Sequence, residues 1–200
     1  MSGSDVKAKL ISDENASDPD RLVTAARPNT SATMAQTTFA GGGARNVTVT
    51  TAGTGDNAKT CTITGTDVFG NAQTEVITST GSAETVAGTK FFLTVTAVEC
   101  SAQYAANITV GSGDLCAEAI LGAERIRLKG FSIVSGGTAG VVNFINGTPE
   151  SGSILFKSRT IGTDNTTVDR TIPQNGVLFE DGMVVQYTIA TVDMMTFFHG

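Results

Sequence analysis

Four residues carry the side chains that most often perform nucleophilic or metal chemistry: Cys61, Cys100, Cys116 and the single histidine, His199. A Ser-His-Asp or Cys-His arrangement would have to use His199, which is next to the last residue, and a chain terminus holds a catalytic base poorly. A zinc site needs three or four Cys or His ligands at short spacing, and these four are scattered. The sequence therefore predicts no catalytic residue and no metal site.

The three cysteines also bear on the redox state of the chain. An odd number cannot form a complete disulfide framework, and no two have the Cys-x-x-Cys spacing. Reduced thiols packed as small apolar groups are the main expectation. One Cys61–Cys100 bridge is the alternative.

Loop oxygens offer a further ligand chemistry, that of calcium, which takes six to eight oxygens and is held at loop ends in some β-sandwiches. The candidate loops are Gly55-Asp56-Asn57, Asp67 with Asn71, and Asp164-Asn165 with Asp169. None matches the EF-hand pattern, and such side chains in turns usually bond their own backbone. We therefore expect no bound metal and no cofactor. A carboxylate pair for glycoside hydrolysis stays open as a weaker hypothesis.

The elements that would position any site are strands. The chain of 200 residues holds 31 Thr and 23 Gly, with no Trp. Thr is β-branched and suits a pleated surface, whereas Gly suits tight turns and bulges. The sequence thus predicts an all-β fold with two small antiparallel β-sandwich or barrel-like modules behind an extended N-terminal arm.

Pattern changes along the chain set the expected boundaries. Residues 1–38 are polar and lack strand alternation, so they are predicted to be an arm, with a short helix over residues 19–26 because an Asp N-cap precedes a Pro there. Residues 39–113 alternate with period 2 and predict an Ig-like β-sandwich. Residues 114–124 are richer in Ala, Leu and Glu and predict a linker of one or two helical turns. Residues 125–200 predict a second β module.

The second module begins with a strand in which Ile126 and Leu128 face one way. Gly130 falls in the middle of this strand. A bulge there would change which alternate residues face the core, so that Phe131 and Ile133 point inward after it. Further strands are predicted over residues 141–145, 154–159, 167–172, 177–179, 183–189 and 194–198. The last of them places the C-terminal residues in a sheet.

Charge and hydropathy exclude two classes of partner. The net charge of −6 argues against nucleic acid, which needs a basic surface. No run approaches the 18 or so apolar residues of a membrane span, and no apolar leader follows the first Met. We therefore expect a protein made in a cytoplasm that binds neither nucleic acid nor membrane.

Several runs are similar to sequences of known virion proteins. They are NVTVT at residues 46–50, TCTITGTD at 60–67, GNAQTE at 70–75, GTKFFLTV at 88–95 and NITVG at 107–111. Together these runs resemble a β module that recurs in virion proteins of tailed bacteriophages. IPQNGVLF at 172–179, DGMVV at 181–185 and TFF at 196–198 are similar to the C-terminal part of small structural proteins of marine phages. These are structural motifs, so the resemblance implies a place of use and no reaction.

The resemblance implies a non-enzymatic virion component made in the host bacterial cytoplasm. A capsid decoration or cement protein that binds the major capsid protein or other virion proteins, as a homo-oligomer, is the first expectation. A tail, head–tail connector or fibre component, which could be a host-binding adhesin, is the alternative.

One strand face is a candidate contact for an acidic partner. Arg125, Arg127 and Lys129 alternate with the apolar residues of the first strand of the second module, so they share the opposite face. A solvated strand face is the competing interpretation of the same pattern.

Overall fold

Strands make up 57% of this protein in the computed structural model, which describes residues 6–12 and 16–200. No α-helix occurs in these ranges, and one 3₁₀ turn covers Ile189–Thr191. The all-β prediction is therefore confirmed. The strands are β1 Lys7–Ser12, β2 Val23–Ala26, β3 Ala44–Thr51, β4 Thr60–Thr66, β5 Ala72–Thr78, β6 Thr85–Phe92, β7 Thr94–Cys100, β8 Ile108–Ala119, β9 Ile126–Ser135, β10 Ala139–Asn146, β11 Ser153–Ile161, β12 Thr167–Thr171, β13 Val177–Phe179, β14 Met183–Thr188 and β15 Val192–His199.

The chain divides into two units. The first contains the described residues up to Ala16 and residues 115–200, and the second contains residues 17–114. The chain passes between them after residue 16 and again within β8, whose residues 108–114 belong to the second unit and 115–119 to the first.

Two antiparallel sheets enclose the core of the first unit. One has the order β1-β15-β9-β12, with β13 also on β9, and the other runs β11-β10-β14-β8. Both sheets send apolar side chains into one cluster, including Leu128, Phe131 and Phe197 from the first sheet and Phe144 and Val185 from the second. This arrangement is a β-sandwich.

The bulge predicted at Gly130 is confirmed. Ile126, Leu128, Phe131 and Ile133 are all buried, so the inward parity changes between residues 128 and 131. The register with β15 shifts at the same place, where Phe198 is opposite Gly130 and His199 is opposite Leu128. All six of the later strands predicted in this module also occur.

The second unit has the same layered construction. One sheet contains β8, β3 and β6 with β2 on β8, and the other has the order β5-β4-β7. The apolar character of residues 91–98 predicts one longer strand there, but the chain leaves the first sheet after Phe92 and enters the second at Thr94. The strand therefore turns a corner at Leu93, and its two halves bring Phe92 and Val95 into the same core.

The N-terminal region differs from the predicted arm. Residues 7–12 form β1 and pair along β15. Residues 17–38 lie within the second unit, where Leu22 and Val23 are fully buried, and residues 30–38 bond along the free edge of β7 through Ala32 and Thr37. The apolar pair Leu22-Val23, set in a polar stretch, anchors this segment to its own unit.

The helix predicted over residues 19–26 is wrong. The Leu22 N–H donates to the Val110 carbonyl in β8 at 2.9 Å, and Val23–Ala26 pairs with the same strand. A free sheet edge thus supplies backbone bonds that outweigh the local capping signal.

The helical linker predicted over residues 114–124 is also wrong in its secondary structure. β8 continues without interruption to Ala119 and pairs with β14 from Leu115 onward. Cys116 and Ala117 are fully buried, so packing fixes this segment as a strand.

Gly65 provides a direct test of the second unit. A Cβ at this position would meet the Thr94 carbonyl oxygen, and Val95 Cα at 3.0 Å, at the bulge where β4 pairs with β7. We expect Gly65→Ala to lower the free energy of unfolding by about 1–3 kcal/mol because backbone has to move.

Urea unfolding of the full chain, followed by far-ultraviolet circular dichroism, measures this loss. Gly122→Ala is the matched control, since a Cβ there meets nothing within 4 Å. Equal midpoints for the two variants would contradict the close approach at Gly65.

Candidate partner-binding surface

A groove of the first unit has a volume of about 690 Å³. It lies between the edge strands of the two sheets, β11 on one side and β12 on the other, with β9 beneath. Its lining residues are Phe131, Leu155, Phe156, Lys157, Ser158, Arg159, Ile161, Val168, Arg170, Thr171, Ile172, Pro173 and Val177. No Asp, Glu, His or Cys is among them, so the lining offers no carboxylate, imidazole or thiol group.

Aromatic rings form the inner wall of this groove. Phe156 stacks on Phe144 with ring centroids 4.1 Å apart and lies 6.1 Å from Phe131. Phe156 is only half-buried, whereas Phe144 is fully buried. The hydrophobic core of the unit is therefore continuous with the groove through Phe156.

β11 is the outer strand of its sheet. It pairs with β10 along one edge, and within the described residues no strand pairs with its other edge. Ile154, Leu155 and Ile161 are 45%, 43% and 66% exposed. An exposed edge with apolar side chains is a ready template for another strand, and proteins usually guard such edges.

Three cations border the groove. Lys157 and Arg159 lie on β11, and Arg170 lies on β12. Arg170 is on the same side of β12 as Val168, whose side chain packs on the core. All three side chains are exposed. Arg170 donates to the Asp169 carbonyl at 2.9 Å, and among the described residues no carboxylate lies within salt-bridge distance of any of the three cations. The groove thus combines an apolar wall with a positive rim.

The face predicted from sequence has internal partners. Arg125 forms an exposed ion pair with Glu180 at 2.9 Å. Lys129 donates to the Asn175 carbonyl at 2.9 Å, and Arg127 donates to the same carbonyl at 3.5 Å. The structure therefore brings the three cations to one side of β9, but it engages them with their own chain. A role in binding a partner stays a prediction for this face.

The groove was not found from sequence because its residues come from distant positions. The only local signal in the sequence is that Lys157 and Arg159 occupy alternate positions of an apolar strand and therefore share one of its faces. Arg170 joins them only through the pairing of β12 with β9.

Two cysteines meet in the core of the second unit. The sulfur atoms of Cys61 and Cys100 are 3.5 Å apart, and the Tyr104 hydroxyl is 3.3 Å from the Cys61 sulfur. Ser79 lies 3.2 Å from the same hydroxyl. The hydrogen bond between the thiols lowers the pKa of Cys61 and raises the pKa of Cys100, and burial raises the pKa of Tyr104. All three cysteines, Cys116 included, are buried and outside any disulfide.

His199 lies in a sheet and not at a frayed end. It is 6% exposed and pairs with Lys7 of β1. Burial lowers its pKa, and the positive charge of Lys7 lowers it further. A neutral buried imidazole is the form favoured at this position.

The loop carboxylates bond their own chain. Asp56 accepts from Lys59 at 2.8 Å and from the Ala105 N–H at 2.6 Å. Asp67 accepts from the backbone N–H groups of Phe69 and Asn71, each at 2.9 Å. In the part of the chain that the structure describes, no three His, Cys, Asp or Glu residues cluster in a way that could hold a metal ion.

The described residues contain no helix with the length and hydrophobicity needed to cross a membrane. No family model, no curated protein and no solved structure matches this chain. The groove geometry and the sequence are therefore the basis for any functional proposal.

Oxidation tests the thiol pair. Cys61 and Cys100 are direct cross-strand partners, and the Cys100 N–H bonds the Thr30 carbonyl while the Ser101 N–H bonds the Thr60 carbonyl. This is the narrow, non-hydrogen-bonded type of pair, with Cα atoms about 4.5 Å apart, which falls in the range for a disulfide. We expect diamide to remove the two thiol protons and two electrons and to form this bridge.

Thiol counting after denaturation and peptide mapping measure the product. One free thiol, that of Cys116, should remain. In the Cys100→Ser variant, peptide mapping should find no intramolecular disulfide. Linkage of Cys116 to either residue in the native chain would contradict the pairing.

His199 should make stability depend on pH. Because its pKa in the folded chain lies below the ordinary value of 6.5, the unfolded chain binds the proton first. The stabilising contribution is complete above pH 6.5 and is lost as the pH falls below it. We expect the wild type to lose more stability than His199→Gln between about pH 7.5 and pH 5.5.

Urea unfolding at the two pH values measures this difference. Lys7→Gln is the companion variant, and it should reduce the pH dependence without removing it, because burial is the larger cause. Parallel curves for the wild type and His199→Gln would exclude His199 as the source.

Proposed function

We propose that this chain is a non-enzymatic structural component of a tailed-phage virion, and that it decorates the outer surface of the capsid. The runs at residues 46–111 and 172–198 that resemble phage virion proteins supply the biological context. Its partners would be the major capsid protein or other virion proteins, and it would act as a homo-oligomer.

One observation supports a structural role over a catalytic one. The large groove of the first unit is walled by Phe131, Phe156 and Val168, rimmed by cations, and lacks carboxylate, imidazole and thiol groups. Such a surface suits a contact with another protein, since acid–base catalysis needs groups that exchange protons near neutral pH.

The layered construction of both units agrees with this role. Each unit buries an apolar cluster between antiparallel sheets, and the thiols and hydroxyls of the second unit bond each other inside its core. These particular thiols and hydroxyls therefore contribute to the packing of that core. Rigid scaffolds with free sheet edges are well suited to repeated contacts in a shell.

Immunogold electron microscopy of purified particles tests the proposal. An antibody against residues 120–200 should label heads evenly and in many copies, with an antibody to the major capsid protein as the reference for full coverage. Denatured particles analysed by mass spectrometry should contain the chain in a fixed ratio to the capsid protein.

Label confined to one vertex or to the tail would replace decoration with a connector, tail or fibre role. Absence of the chain from purified particles, combined with its presence in infected cells, would overturn the virion proposal.

A further inference from the structure

We propose that the groove between β11 and β12 binds an extended, acidic segment of another protein, which adds to the free edge of β11 as a further strand. This inference goes beyond the role in a virion and does not depend on it. It rests on three features of the first unit that lie side by side: an unpaired edge, an apolar wall and a positive rim.

The free edge favours a peptide over a small ligand. β11 has nine residues and pairs with β10 in regular register from Phe156 to Ile161, so over this stretch it offers alternating backbone donors and acceptors for about 20 Å at about 3.3 Å per residue. A strand added there would satisfy these groups and place alternate side chains toward the groove. Leu155 at one end and Ile161 at the other are exposed, so the added strand would also cover apolar surface.

The groove wall provides sites for the alternate side chains. Val168 and Ile172 lie across from Phe156, and all three are partly buried hydrophobics that pack on the core. A volume of about 690 Å³ is sufficient for two or three apolar side chains, because pockets for drug-sized molecules cover the same range. The segment that fits would therefore alternate apolar and charged residues.

The cations at the groove favour a negatively charged segment. Lys157 and Arg159 on β11 and Arg170 on β12 are exposed, and no carboxylate of the described residues lies within salt-bridge distance of them. Aspartate or glutamate at the alternate positions of the segment that face Lys157 and Arg159 would neutralise these two charges. Charge complementarity of this kind steers association and fixes register.

The same charges disfavour a second copy of this chain as the occupant. If two β11 strands paired antiparallel about Lys157, that residue would face its own copy. If they paired about Ser158, Lys157 would face Arg159 of the copy. Like charges directly opposite one another destabilise a strand pair, so both of these registers are disfavoured.

Affinity selection with the full chain tests the proposal. The probes are two libraries of synthetic nine-residue peptides that alternate Val, Ile, Leu, Phe or Tyr with a charged residue, which is Asp or Glu in one library and Lys in the other. We expect the immobilised chain to retain acidic peptides and not their basic counterparts. The retained peptides are then measured by fluorescence anisotropy at low and high salt, where binding should weaken as salt rises.

A pair of matched charge reversals locates the site. We expect Lys157→Glu/Arg159→Glu to weaken binding at least about tenfold, because it reverses the rim. Arg125→Glu/Lys129→Glu changes the same number and types of charge on the face predicted from sequence, and it should leave binding unchanged. Urea unfolding confirms that both double variants are folded, which is expected since Lys157, Arg159 and Arg125 are exposed.

Selective N-methylation of a retained peptide tests strand addition itself. In an added strand, alternate N–H groups point at β11 and the others point at solvent. Methylation of one alternating set should abolish binding, and methylation of the other set should leave it intact.

Three results would each overturn the inference. One is that no acidic peptide is retained at about 1 mM. The second is that both double variants weaken binding equally. The third is self-association of the chain that Lys157→Glu/Arg159→Glu alters, which would make a second copy the occupant. None of them bears on whether the chain is found in particles, so the two proposals fail separately.

Discussion

The first unit depends on the contacts of one ring, that of Phe144. It lies 4.9 Å from Phe131 and 5.9 Å from Phe197, which belong to the opposite sheet, and 4.1 Å from Phe156 on the neighbouring strand. Aromatic pairs of this kind contribute about 0.5–1.5 kcal/mol each beyond their buried area. A chain with no Trp therefore joins its two sheets through Phe.

This packing determines where the groove forms. Phe156 must face inward to reach Phe144, and strand alternation then turns Lys157 and Arg159 outward along the sheet edge. On the opposite sheet, Val168 faces the core, so Arg170 shares its parity and comes to the rim. The apolar wall and the two cations of β11 are thus consequences of one alternation, whereas Arg170 lies on the same side of β12 as Val168.

Alternation also explains what the sequence could and could not predict. Strands such as β14, with buried Met183, Val185 and Tyr187, are visible because period 2 is a local property. The bulge at Gly130 is visible for the same reason. The corner at Leu93 is not, since the apolar run Phe91-Phe92-Leu93 continues directly into the next strand and only the change of sheet separates the two. At residues 19–26 a local capping signal predicts a helix, but hydrogen bonds to the distant strand β8 determine the conformation.

The same distinction applies to the two basic surfaces. Arg125, Arg127 and Lys129 were predictable because they lie within five residues, and the structure shows their bonds to Glu180 and Asn175. The groove cations come from two strands and could not be grouped without the sheet order.

An acidic partner that bound to the face of Arg125, Arg127 and Lys129 would compete with an existing ion pair and two existing hydrogen bonds. At the groove, Lys157 and Arg159 can gain a carboxylate without losing one in the described structure. Exposed ion pairs contribute little on their own, about 0–1 kcal/mol, so charge alone would make neither surface a strong site. The groove differs because the same partner could also pack apolar side chains on Phe156, Val168 and Ile172 and satisfy the open edge of β11, and those contributions do not weaken with salt. Charge would therefore set which partner binds there, and the apolar wall with the free backbone would set how firmly it is held.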